Sequence, residues 1–142
     1  MRSHCLDLSY AIRQKMLSHA ELEYPRECCG VLYGSTGTDG KLVISVYESA
    51  PNECEEDRDC RFCLDPVELY KSEREFQKRG LEIMGLFHSH PDAPAAPSEE
   101  DERYIIPGLL YLIAGVEDGR SVEIRSWRSL SPGEAPEDVT VY

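Results

Sequence analysis

LEIMGLFHSHPDAPAAPSEED, residues 81–101, passes from an apolar run through a proline-rich bend into the start of a helix. Leu81 to His88 is apolar enough to read as a buried strand. Pro91, Pro94 and Pro97 exclude a helix across 91–97 and leave an ordered loop. Ser98 then supplies an N-cap for a short helix running to about Ile106, where Pro107 and Gly108 stop it. Side chains two apart on a strand share a face, so His88 and His90 aim both imidazoles at one point beyond the strand end. Ser89, between them, faces the other way and reads as structural. Asp101 falls in the first turn of the helix that Ser98 opens.

Two imidazoles and a carboxylate on a tetrahedral ion leave the fourth position for water, the arrangement of catalytic rather than structural zinc. Such a water has its pKa lowered to roughly 7, and the metal also polarises a carbonyl oxygen, so amide hydrolysis is the chemistry expected. Each half of the pattern has a plainer reading. A His-x-His pair at a strand end can be surface polarity, and Ser98 with Asp101 is also an ordinary helix start, with a capping hydroxyl and an acid that suits the helix dipole. Two of the chain's four histidines nevertheless fall here at ligand spacing.

Upstream, Leu8, Ile12, Met16 and Leu17 form one helical stripe, predicting a helix from Ser9 to Ala20. Pro25 breaks the chain before an apolar strand from Cys28 to Gly34, and the turn from Ser35 to Gly40 leads to a partner strand from Lys41 to Glu48. Ala50 to Cys63 lacks periodicity and reads as an acidic loop with a late short strand at Arg61 to Leu64. Asp65 and Pro66 open a second helix that ends near Gly80. Downstream, Leu109 to Val116 is the most apolar strand, Asp118-Gly119 a turn, and Ser121 to Arg128 an outer strand. Residues 129–142 hold a Pro-rich acidic connection, Ser131 to Asp138, and a final strand from Val139 to Tyr142. The expectation is one α/β domain of the α+β type over residues 1–142, without repeats or linker.

The 142 residues are 41% hydrophobic, enough for one core, and carry a net charge of -12 without a basic run, which disfavours nucleic acid. No apolar stretch suits an export signal or a membrane span, so a cytoplasmic protein with no membrane partner is expected. Six cysteines, at 5, 28, 29, 54, 60 and 63, are then expected as free thiols. Cys60-x-x-Cys63 with Cys54 nearby leaves two readings open, a structural zinc or plain thiols. His4 and His19 suggest no function.

His88, His90, Pro91, Pro97, Ser98 and Asp101 together resemble the signature of the JAMM (MPN+) metalloproteases: an upstream Glu, then His-x-His-Pro, a spacer and Pro-Ser-x-x-Asp. The order of elements from about Leu6 to Arg128 is also similar to that family's domain. The resemblance implies a single curved, mixed or antiparallel β-sheet flanked by helices, the MPN/JAB (cytidine-deaminase-like) fold, with Zn2+ on His88, His90 and Asp101. It further implies that Glu27, in Pro25-Arg26-Glu27-Cys28-Cys29-Gly30, is the general base. The residues alone would leave Glu27 a solvated or ion-paired carboxylate. Ser98 is implied as the hydroxyl that stabilises the oxyanion, a role that competes with helix capping.

Stand-alone chains of this length look like the bacterial and archaeal branch. The resemblance then implies cleavage after the C-terminal Gly-Gly of a ubiquitin-like sulfur-carrier protein, releasing cysteine or a conjugate. The alternatives are a non-catalytic scaffold of the same fold and a cell-wall or phage-type peptidase. The Ala50–Cys63 loop reads equally as a rim for the carrier or as a solvated loop, and a homodimer is the other assembly considered.

Overall fold

The computed structural model describes residues 5–50, 66–103 and 105–141. In chain order it contains β1 (Cys5–Leu8), α1 (Tyr10–Glu23), β2 (Cys29–Thr36), β3 (Leu42–Ser49), α2 (Pro66–Gln77), β4 (Glu82–Pro91), α3 (Glu99–Arg103), β5 (Leu110–Glu117), β6 (Arg120–Arg128) and β7 (Glu137–Val141). The strands lie in the order β1-β3-β2-β4-β5-β6-β7, and β1 also pairs with β7, so one mixed sheet curves until it closes. The β1 pairings and β4 with β5 are parallel, and the remaining neighbours are antiparallel.

Two apolar layers follow from strand alternation. In β2, Leu32 faces a large core that includes Met16 and Ala20 of α1, Phe87 of β4 and Leu112 of β5. Its neighbours Val31 and Tyr33 face the other side, where Phe76 of α2 covers them and stacks on Tyr33 with ring centroids 4.1 Å apart. The helices thus cover opposite faces of the sheet. β5 is buried from Leu110 to Val116, as expected for a near-continuous apolar strand lying between two neighbours.

Several boundaries shift from the sequence reading. The helix starts where expected, with Ser9 as its cap, the hydroxyl oxygen accepting from the Ile12 N–H at 3.3 Å, but it continues to Glu23, beyond Ala20. Leu8, read as part of the helical stripe, instead ends β1, an element that sequence reading missed: Leu6 and Leu8 are buried and pair with Leu42 and Ile44 of β3. α3 ends at Arg103, short of Ile106, β4 runs on to Pro91, and β7 begins at Glu137 inside the acidic connection. Most of the Ala50–Cys63 loop, with the short strand expected at 61–64, lies outside the described residues.

Gly85 fixes the approach of β4 to β5. A Cβ added there would stand 2.7 Å from the Leu110 Cβ and closer still to the Leu110 carbonyl oxygen, which is backbone and cannot swing aside. Gly85→Ala should therefore lower stability by roughly 1–3 kcal/mol. A denaturant melt checks this, and an unchanged midpoint would mean that the two strands part without cost.

Candidate active site

β4 lies between β2 and β5, with His88 opposite Cys29 on one side and Ile113 on the other, so pairing on both edges fixes where its side chains point. His88 is buried and His90 partly so, and both rings face the same point. Their Nε2 atoms are 3.1 Å apart. Asp101 Oδ2 stands 3.3 Å from His88 Nε2 and 3.1 Å from His90 Nε2. Among the described residues, these three side chains form the group able to hold a metal ion.

Asp101 is held by the start of α3. Its backbone N–H donates to Ser98 Oγ at 3.0 Å, and its Oδ2 accepts from the Ser98 N–H at 2.9 Å. This is the reciprocal geometry of a capping box, with Asp in the place usually taken by Glu or Gln. The same hydrogen bonds that start the helix therefore aim the carboxylate at the histidines.

The 91–97 loop is ordered by partners that sequence reading did not identify. His90 Nδ1 lies 2.9 Å from the Pro94 carbonyl, which fixes Nδ1 as the protonated nitrogen of the neutral ring and leaves Nε2 with its lone pair toward Asp101. The Ala95 N–H donates to Glu123 at 3.2 Å, and Trp127 Nε1 donates to the Ala95 carbonyl at 3.0 Å. Gly115 of β5 lets the loop lie close, since a Cβ there would meet the Ala93 carbonyl oxygen at 3.1 Å. No local signal in the sequence joins Glu123 or Trp127 to this loop, because they sit on β6.

Burial opposes the charge on Asp101, but hydrogen bonds from His88 and His90 outweigh it and hold the carboxyl well below the usual range. Burial likewise favours neutral His90. Hydrogen bonds to Asp101 and the Pro94 carbonyl outweigh it and raise the pKa, with Glu27 adding to the rise. The carboxylate of Glu27, half-buried just before β2, is thus close enough for His90 to feel its charge. Ser89 is fully buried on the opposite face from the histidines, as its alternation predicts. Cys28 and Cys29 are buried free thiols, and burial pushes the Cys28 thiol up to about 12, which leaves it protonated and unreactive at neutral pH. Cys54, Cys60 and Cys63 lie outside the described residues.

The donor set fits a four-coordinate divalent ion. Ligand atoms about 2.0–2.1 Å from a common centre at tetrahedral angles stand roughly 3.3–3.4 Å apart, close to the spacings between these three atoms. With Nδ1 of His90 committed to Pro94, the lone pair on its Nε2 faces a carboxylate, and a cation or a proton must separate them.

The chain is 35% identical over 125 residues to the desampylase of Haloferax volcanii, covering 84% of this chain and 86% of that one. It is 28% identical over 130 residues to the CysO-cysteine peptidase of Mycobacterium tuberculosis, covering 89% and 84%. The solution structure of protein DSY2949 from Desulfitobacterium hafniense superposes with a TM-score of 0.76 at 30% identity, covering 96% of this chain and 92% of that one. Residues 9–130 match the profile of the prokaryotic homologs of the JAB domain, and the chain belongs to that family.

Proposed function

We propose that this chain is a zinc-dependent peptidase that cuts after the C-terminal Gly-Gly of a ubiquitin-like sulfur-carrier protein, with His88, His90 and Asp101 as zinc ligands, Glu27 as proton carrier and Ser98 as oxyanion donor. The observation that carries the reading is the convergence of the three ligand atoms within 3.1–3.3 Å of one another. When bound, zinc supplies Lewis acidity and lowers the pKa of its water to roughly 7. Glu27 takes a proton from the attacking water and passes it to the leaving amine nitrogen, so the amide C–N bond breaks as the new C–O bond is kept. Ser98 serves both its roles. As helix cap its oxygen uses a lone pair to accept from the Asp101 N–H, which leaves the hydroxyl hydrogen to donate to the developing oxyanion.

The names of the relatives support the substrate class, since one is a desampylase and another a CysO-cysteine peptidase. A Gly-Gly tail also suits the reading chemically, since it has no side chains to obstruct an approach past the 91–97 loop, which Glu123 and Trp127 hold at Ala95. A carrier extended by cysteine or a short peptide should lose the extension in the presence of zinc, read by mass spectrometry, and phenanthroline should block the loss. Val in place of the penultimate Gly should slow cleavage strongly, because its Cβ and methyls clash and restrict the backbone. Equal rates on the Gly and Val tails, or digestion of casein as fast as the carrier, would overturn the carrier-tail reading.

A further inference from the structure

Glu27 stands on the short segment between α1 and β2, and that segment is tied at one end to the strand that carries the histidines and at the other to Asp92, the residue that follows it. At the downstream end the Cys28 N–H donates to Ser89 Oγ at 2.9 Å, and the Ser89 N–H returns a bond to the Cys28 carbonyl at 3.0 Å. At the upstream end the Tyr24 hydroxyl donates to Asp92 Oδ2 at 2.6 Å. Asp92 is itself fixed in place. Its backbone has φ 53°, a left-handed conformation that Asp tolerates better than most residues. Its N–H donates to the Val116 carbonyl at 2.6 Å, and its Oδ1 accepts from the Asp118 N–H at 3.1 Å. Residues 24 and 28 are therefore fastened to residues 92 and 89, on either side of His90.

The two ties differ in kind. Ser89 and Cys28 are buried, so their bonds belong to the sheet as much as to the site. The Tyr24–Asp92 bond is solvent-exposed, where a hydrogen bond exchanges readily with water and contributes little to stability. Its geometric effect is larger: it spans 68 residues of sequence to hold the upstream end of the Glu27 segment against the strand end that carries the ligands.

We propose that the Tyr24–Asp92 hydrogen bond is a positioning contact that keeps the Glu27 carboxylate at the distance from the metal centre that proton transfer requires. The proposal rests on the reading of Glu27 as the proton carrier. Tyr24 is a positioning residue, acting through Glu27 and touching no reacting atom. Proton transfer falls off steeply with misplacement, and a displacement of about 1 Å can cost on the order of 10²-fold in rate. Loss of this one tie, with the Ser89–Cys28 bonds kept, should displace the segment by less than that.

Tyr24→Phe removes only the hydroxyl. The variant should keep its zinc and its melting temperature, hold KM, and lose about 10-fold in kcat on the extended carrier. Amide hydrogen exchange at residues 26–28, measured without substrate, should quicken. In a Glu27→Gln background the same substitution should cost nothing further, because there is no carboxylate left to position. Tyr33→Phe, which removes a hydroxyl bonded to Ser72 beneath α2, is the control and should leave kcat as it was. An unchanged kcat in Tyr24→Phe, or an equal loss in the Glu27→Gln background, would overturn the positioning role. Full turnover in Glu27→Gln alone would instead overturn the proton-carrier reading, and the exchange measurement would still report whether the tie holds the segment.

Discussion

His88→Ala should abolish zinc binding and reduce hydrolysis of the extended carrier to the level of an enzyme-free control. Wild-type protein is expected to hold one zinc per chain, and this variant none. The imidazole is 2% exposed and has Asp101 Oδ2 3.3 Å from its Nε2, so its loss leaves two of the three donors that converge there. Removing it leaves Asp101 buried with one of its two histidine partners gone. Breaking a buried pair in this way typically costs about 3–5 kcal/mol, so the variant must be compared with metal-free wild type to separate folding from metal loss. The decisive readout is linkage. A ligand that binds only the folded state stabilises it by about 2.7 kcal/mol at 100 times its Kd, so chelation should lower the melting temperature of the wild type. The melting temperature of His88→Ala should ignore both zinc and chelator. Full zinc content in the variant would move the metal elsewhere, and Cys54, Cys60 and Cys63 would then be the first residues to replace.

Glu27→Gln should retain zinc and fold while losing about 10²- to 10⁴-fold in kcat, the usual contribution of a positioned proton acceptor. The substitution is nearly isosteric and removes only the ability to take a proton. Glu27 is half-buried, and its negative charge contributes to the raised pKa of His90. KM should hold, because the carboxylate acts on the attacking water and the leaving nitrogen rather than on the carrier body. A variant that turned over at the wild-type rate would remove Glu27 from the mechanism while leaving the metal site intact.

Much of this chain is legible from local pattern. The three side chains able to hold a metal ion lie within fourteen residues of sequence, where strand alternation puts His88 and His90 on one face and a capping serine sets Asp101 in the first helical turn. Pro91, Pro94 and Pro97 announce the loop between them. The apolar run from Leu109 to Val116 announces a strand buried between neighbours, and the stripe of Ile12, Met16 and Leu17 announces α1. In each case the physical cause acts over a few residues, through backbone geometry or a capping hydrogen bond, so the sequence carries the signal where the structure uses it.

Glu27 is the instructive contrast. Its own neighbourhood marks it only as an acid before a strand, and the resemblance to a known family was needed to single it out. Its proximity to His90 depends on β2 pairing with β4, on Ser89 holding Cys28 across 61 residues, and on Tyr24 reaching Asp92 across 68. β1 was missed for the same reason. Four residues have too little pattern to declare a strand, and what makes Cys5–Leu8 one is parallel pairing to β3 and β7 at distant points of the chain.

The sequence by itself determined the group of His88, His90 and Asp101 that is able to hold a metal ion, the helix and loop that present it, and the alternation of a sheet covered by helices. Tertiary structure alone decided that the sheet closes through β1, that Glu123 and Trp127 pin the loop at Ala95, and that Tyr24 fastens the Glu27 segment. The division follows the range of the forces. Backbone dihedrals, proline rings and caps act between near neighbours and are written in order along the chain, whereas hydrogen bonds between residues 28 to 68 apart in the chain exist only once the sheet has brought them together.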